Sequence, residues 1–191
     1  MSTILITGPS RSGKSEWAEQ LTQQLGTPHQ QVVYIATAKA DANDPEWQAR
    51  IEQHQRRRPA HWTCLEVPTD LAEAIAQHDQ HHCLLIDSLG TWLANLIEDS
   101  PEDWALQQEQ LIRALQQTKA TVILVAEETG WGVVPAYEMG RRFRDRLGTL
   151  SRQVGAIAAE TYLVTSGYAL PLSKLAQPVQ GFTAEPTSSH F

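Results

Sequence analysis

The chain has 191 residues, 41% apolar and 19% charged, with a net charge of −7 and a pI near 5.4. This suits one domain with a large core, and the acidic balance argues against a nucleic-acid partner, because neutralising phosphates takes a basic surface. Cys64 and Cys83 show no metal spacing or disulfide framework, the stretch before Gly8 lacks a signal-peptide pattern, and no apolar run nears the roughly 18 residues of a membrane span, so a cytoplasmic protein is expected.

In chain order, residues 3–7 read as a buried strand that runs directly into Gly8-Pro9-Ser10-Arg11-Ser12-Gly13-Lys14-Ser15. A helix is predicted over 14–25, stopped by Gly26-Thr27-Pro28. Residues 31–37 form the second strand. Pro45 then suits the first turn of a helix with Trp47, Ile51 and His54 on one face, which Arg56-Arg57-Arg58-Pro59 ends. A short strand at 62–67 precedes a helix capped by Pro68-Thr69-Asp70 and running to 77. Residues 83–87 are a buried strand ending in an acid, followed by helices over 89–97 and from Asp99-Ser100-Pro101-Glu102 to 118. Residues 121–126, apolar from Val122 onward, read as a central parallel strand. A glycine-rich loop over 127–135 leads into a long helix over 136–158 and a last strand at 161–165. The stretch after 175, with Pro178, Gly181, Pro186 and Ser188-Ser189, is expected to be a mobile tail. This alternation of strands and helices predicts one α/β P-loop domain over 1–175, with a mostly parallel central sheet and helices on both faces.

The chemistry begins at residues 8–15, which fit G-x-x-x-x-G-K-S in the strand–loop–helix context that the motif requires. Glycines let successive backbone N–H groups point inward at phosphate oxygens, and the helix start adds its positive dipole end. Lys14 is expected at the β- and γ-phosphates and the Ser15 hydroxyl on Mg²⁺. Asp87, at a strand end, is placed either to hold Mg²⁺ or to cap the next helix. Asp87-Ser88-Leu89-Gly90 also matches the D-x-x-G of switch GTPases, but the chain has no Asn-Lys-x-Asp to read guanine. His78, His81, His82 and Cys83 read as solvated loop histidines before a strand rather than a metal cluster. Trp131, between glycines, is either a substrate-facing lid residue or a packing residue. Arg56-Arg57-Arg58 stand out in an acidic chain and point to an anion. Beside them His54 is either a solvated helical histidine or, with its proton disfavoured by like charge, a nucleophile toward phosphorus.

Taken together, the chain resembles the bifunctional adenosylcobinamide kinase / adenosylcobinamide-phosphate guanylyltransferase family of cobalamin biosynthesis. The resemblance runs from Ile4 to about Leu172. It rests on Gly8–Ser15, Tyr34-Ile35-Ala36-Thr37-Ala38, Arg50-Ile51-x-x-His54-x-x-x-Arg58-Pro59, Trp62 followed by Glu66, and Leu85-Ile86-Asp87. It continues through Trp92-Leu93-x-Asn95-Leu96, Gly130-Trp131-Gly132-Val133-Val134-Pro135, Phe143-Arg144-Asp145-x-x-Gly148 and Val164-x-Ser166-Gly167. It implies a RecA-like P-loop fold, phosphorylation of adenosylcobinamide, and GMP transfer from GTP to the resulting phosphate through a guanylylated histidine. The matching histidine is His54, with Lys14 as the other catalytic residue. Nucleotide contacts are implied at Gly8, Pro9, Ser10, Arg11, Ser12, Gly13, Lys14, Ser15, Ala36, Thr37, Ala38, Gln55, Arg56, Arg57, Arg58, Glu66 and Asp87, and Mg²⁺ contacts at Ser15 and Asp87. GTP, ATP or both serve as substrates, and a homotrimer is implied. The alternatives are a P-loop small-molecule kinase with no covalent step, or a nucleotide-dependent switch.

Overall fold

The computed structural model describes residues 2–26, 30–39 and 56–179. Within them run β1 (Thr3–Gly8), α1 (Lys14–Leu25), β2 (Gln31–Ala36), β3 (Thr63–Glu66), α2 (Leu71–Ala76), β4 (His82–Asp87) and α3 (Leu89–Asn95). They continue with α4 (Pro101–Gln117), β5 (Thr121–Glu127), α5 (Glu138–Ile157), β6 (Glu160–Thr165), β7 (Tyr168–Pro171) and α6 (Leu172–Leu175). The helix expected to start at Pro45 falls mostly outside the described residues; Arg56 and Arg57 are helical, and the helix ends at Arg58 and Pro59. The tail beyond residue 179 also lies outside them.

The strands form one seven-stranded sheet in the order β3-β2-β4-β5-β1-β6-β7. All neighbours pair in parallel except β6 and β7. Strand periodicity divides the core in two. Leu5, Val33, Ile35, Leu84, Ile86, Val122 and Leu124 face α2, α3, α4 and α5. Ile4, Ile6, Tyr34, Leu85, Ile123 and Val125 face α1 and Trp62. A strand flanked by other strands and covered on both faces must be apolar throughout, which is why residues 122–126 of β5 are all buried. Each such side chain contributes about 1.5–3 kcal/mol of burial.

One strand was missed. The sequence reading ends the sheet at β6, yet β7 pairs with it antiparallel, Thr165 opposite Tyr168. The two residues between them, Ser166 (φ 51) and Gly167 (φ 79), are both left-handed, the geometry of a two-residue hairpin turn. The signal was present as a Ser-Gly pair, but the following strand is short and ends in Pro171, acceptable only at a sheet edge.

The caps also sort themselves locally. Ser100 accepts the Asp103 amide at 3.1 Å ahead of Pro101, as expected for α4. Asp70 stands at the start of α2 but makes no side-chain cap bond; its carboxylate accepts the Thr69 hydroxyl instead. For α3 the cap is Ser88, which forms a reciprocal capping box with Thr91. Asp87 is thereby relieved of the capping role that the sequence left open.

Candidate active site

The carboxyl ends of the parallel strands share one edge of the sheet, where ligands bind in open α/β folds. Ladder register brings Ala36 beside both Glu66 and Asp87, and Gly8 beside Glu127. The phosphate-loop strand β1 and the Asp87 strand β4 are separated by β5 alone.

The loop between β1 and α1 is shaped by two different demands on glycine. At Gly8 a Cβ would lie 2.2 Å from the Val164 carbonyl oxygen, so the requirement is close approach of β6. Gly13, capping α1, has φ 93 with open space around it, so there the requirement is a left-handed backbone. Arg11 is also left-handed, at φ 59. Lys14 is buried, and its Nζ donates to the Pro9 carbonyl at 3.3 Å, folding the ammonium back over its own loop. The Ser12 hydroxyl is buried and has no hydrogen-bond partner among the described residues. A buried ammonium on a loop carbonyl and an orphaned hydroxyl beside it are what a loop waiting for phosphate oxygens leaves behind. Ser15 follows on the first turn of α1.

Asp87 closes β4. The Tyr34 hydroxyl donates to its Oδ2 at 2.8 Å, reaching across from β2. Burial, with Asp87 alongside, pushes the Tyr34 phenol far above its ordinary value, so it stays a donor at any working pH. The Arg58 guanidinium lies 3.4 Å over the Tyr34 ring and donates to Cys64 Sγ at 3.2 Å. Arg57 bonds to Glu16 and Glu19 of α1, the helix that follows the phosphate loop. The arginine segment is thus tied to both α1 and the Asp87 strand end. His54 and Gln55 lie outside the described residues.

Thr37, just past β2, is buried and linked to Ser88 by two hydrogen bonds, donating to the Ser88 carbonyl at 2.7 Å and accepting its amide at 2.9 Å. Asn95 ties the neighbouring loops together, its Nδ2 donating to the Thr37 carbonyl at 2.8 Å and the Pro68 carbonyl at 2.9 Å. Trp131 is 62% exposed, in a run with Val133, Val134 and Tyr137, so it does not serve packing here. In the histidine-rich loop, His82 Nδ1 sits 2.9 Å from Asp79 Oδ1 and His78 Nδ1 lies 2.7 Å from the Ala74 carbonyl. Sequence reasoning singled out neither the Tyr34 hydroxyl nor the carboxylate of Glu127 as site groups. Tyr34 looks like one more residue of an apolar strand, and only the pairing of β2 with β4 brings it to Asp87.

Comparison with known proteins agrees with this geometry. The family model described as cobinamide kinase / cobinamide phosphate guanyltransferase matches residues 4–172. A bifunctional adenosylcobalamin biosynthesis protein, CobP, from Pseudomonas aeruginosa is 40% identical over 170 residues, covering 88% of this chain and 95% of that protein. The Escherichia coli protein CobU, of the same description, is 38% identical over 179 residues, covering 86% and 96%. Among solved structures, one ATPase domain superposes with a TM-score of 0.51 at 11% identity, over 85% of this chain and 68% of that one. A type III secretion system ATPase from pathogenic bacteria gives the same TM-score and identity over 91% and 53%. At that identity the structural likeness speaks for the fold alone, and it bears out the RecA-like P-loop expectation. The family match spans the phosphate loop, the Asp87 strand end and β6 that packs on Gly8, so the chain belongs to the cobinamide kinase / cobinamide phosphate guanyltransferase family.

Proposed function

We propose that the chain is a bifunctional enzyme. It phosphorylates the aminopropanol hydroxyl of adenosylcobinamide, then transfers GMP from GTP to that phosphate, giving adenosylcobinamide-GDP and pyrophosphate. The observation that carries the reading is the family match over residues 4–172, which takes in both the complete phosphate loop and the segment bearing His54.

In the kinase step the γ-phosphoryl group of GTP or ATP passes straight to a hydroxyl, which asks mainly for positioning and charge neutralisation. Lys14 needs only to exchange the Pro9 carbonyl for phosphate oxygens, and Ser12 gains the partner it lacks. The Ser15 hydroxyl, on the first turn of α1, and the Asp87 carboxylate, at the end of β4, are hard oxygen donors. Among the described residues no cluster of three or more His, Cys, Asp or Glu could hold a metal. Ser15 and Asp87 would hold Mg²⁺ through one hydroxyl and one carboxylate, a sparse set of the kind used where substrate phosphates supply further oxygens, and the ion would supply charge neutralisation to the transferring group.

In the transferase step an unprotonated His54 nitrogen attacks the α-phosphorus, pyrophosphate leaves, and the guanylylated histidine passes GMP to a phosphate oxygen of the substrate. Arg56, Arg57 and Arg58 favour the neutral imidazole and attract the phosphates. Ala36, Thr37, Ala38, Gln55 and Glu66 complete the nucleotide contacts. The working form is a cytoplasmic homotrimer of one P-loop domain spanning residues 1–175. Among the described residues no helix is long and apolar enough to cross a membrane.

Incubation with α-labelled and γ-labelled GTP tests the reading. Wild type should acquire an acid-labile covalent label from the α-phosphate alone. His54→Ala should lose that label and GMP transfer while keeping phosphorylation, and Lys14→Ala should lose both. An adduct forming at the wild-type rate in His54→Ala defeats the assignment, and His61 is then the next nucleophile to test. Phosphorylation with no α-label in wild type makes the chain a simple kinase.

A further inference from the structure

Glu127 is the last residue of β5, between the phosphate-loop strand and the strand that carries Asp87. It pairs with Gly8 in the β1–β5 ladder, whereas the β4–β5 ladder ends earlier, at Asp87 with Val125. Its side chain therefore stands past the end of β4, and it turns toward that strand. Ser88 Oγ donates to Glu127 Oε1 at 2.6 Å, and the Gly90 amide donates to Oε2 at 2.9 Å. Thr37 holds the same turn from the other side through the Ser88 amide and carbonyl. In the next residue along, the Glu128 amide donates to the Gly8 carbonyl at 2.8 Å. One short segment thus ties the turn after Asp87 to the residue that opens the phosphate loop.

We propose that Glu127 is a positioning residue for phosphoryl transfer: by holding Ser88 and Gly90 it sets where the Asp87 carboxylate stands relative to the phosphate loop. This deepens the reading of Asp87 and Ser15 as the Mg²⁺ donors and rests on it. Both carboxylate oxygens are committed to donors in one turn, so Glu127 orients its neighbours rather than taking the substrate's proton. The same geometry accounts for Gly90, which matched a switch pattern in the sequence. A Cβ there would lie 2.0 Å from Glu127 Oε2, so a glycine is needed for the carboxylate to reach the amide. Partners that orient a metal-binding carboxylate matter to the metal almost as much as the ligand itself.

The test is calorimetric binding of a non-hydrolysable GTP analogue to the full chain across a Mg²⁺ titration, with thermal melts and the phosphorylation rate measured alongside. Glu127→Ala should raise the Mg²⁺ concentration for half-maximal binding by about tenfold or more, with Mg²⁺-free analogue binding close to wild type. Glu127→Gln should restore most of the Mg²⁺ affinity, its amide oxygen accepting from Gly90 and its NH₂ donating to Ser88 Oγ. A Glu127→Ala protein that melts earlier but keeps the wild-type Mg²⁺ dependence overturns the proposal, as does a Glu127→Gln protein as inactive as Glu127→Ala with unchanged Mg²⁺ dependence. Should Glu127→Ala fail to fold, Ser88→Ala removes one of the two contacts and should shift the Mg²⁺ requirement in the same direction; no shift also overturns the idea. Failure of the wild type to phosphorylate cobinamide would sink the functional reading and leave this binding measurement standing.

Discussion

Replacing Gly8 by alanine puts a methyl carbon 2.2 Å from the Val164 carbonyl oxygen and 2.8 Å from Ser12 Oγ. The serine can rotate away, but the carbonyl belongs to the backbone of β6. Relief to even a 3.0 Å contact requires β1 and β6 to part by about 0.8 Å at this point. Movement of that size stretches the adjoining ladder hydrogen bonds, and overpacking with one buried group left unpaired costs about 2–3 kcal/mol. The same shift carries the start of the phosphate loop with it, and a misplacement near 1 Å can cost about 10²-fold in rate. Gly13→Ala makes the comparison informative. There φ is 93 with nothing within 4 Å, so the penalty is the left-handed conformation alone, about 1–2 kcal/mol. Urea unfolding at constant slope gives both stability losses from the midpoints, and nucleotide binding reports on the loop. A Gly8→Ala protein with wild-type stability and nucleotide affinity would refute the close-approach argument, and a larger stability loss in Gly13→Ala than in Gly8→Ala would invert it.

Tyr34→Phe removes the donor to Asp87 while keeping the ring beneath Arg58, and should lower stability by about 1.5–3 kcal/mol, the worth of a hydrogen bond to a charged group; an unchanged urea midpoint would show that the bond contributes nothing. Burial pushes the Cys83 thiol from 9.0 up to about 11, so its contribution to stability is complete below pH 9 and is lost as pH rises through about 11. Cys83→Ala should therefore show a shallower fall in stability than wild type between those values, and identical slopes would rule the thiol out. In the native protein a thiol reagent should label exposed Cys64 and reach buried Cys83 only on unfolding.

Local chemistry was legible in the sequence because it depends on neighbours within a few positions. The apolar runs that became β1, β2, β4 and β5, the left-handed glycine at Gly13, and the Ser100-Pro101 start of α4 are all written in adjacent residues. The phosphate loop belongs with them, since its amides, Lys14 and Ser15 come from one unbroken stretch. Where local signals competed, the reading slipped. The cap expected at Asp70 does not form, because its carboxylate accepts the Thr69 hydroxyl, whereas at Asp87, where capping was one of two readings, Ser88 caps the helix instead.

The tertiary structure decided everything that depends on which strands become neighbours. No residue of β5 announces that it will lie between β1 and β4, and that order places Glu127 against both Gly8 and the Ser88 turn. Gly8 needs glycine because β6, more than 150 positions away in sequence, passes at 2.2 Å from where a Cβ would be. Tyr34 reaches Asp87 across 53 positions, and Thr37 reaches Ser88 across 51. Such contacts follow from hydrogen-bond register between distant strands. Periodicity can state that a strand is buried on both faces, but it carries no information about which strand lies beside it.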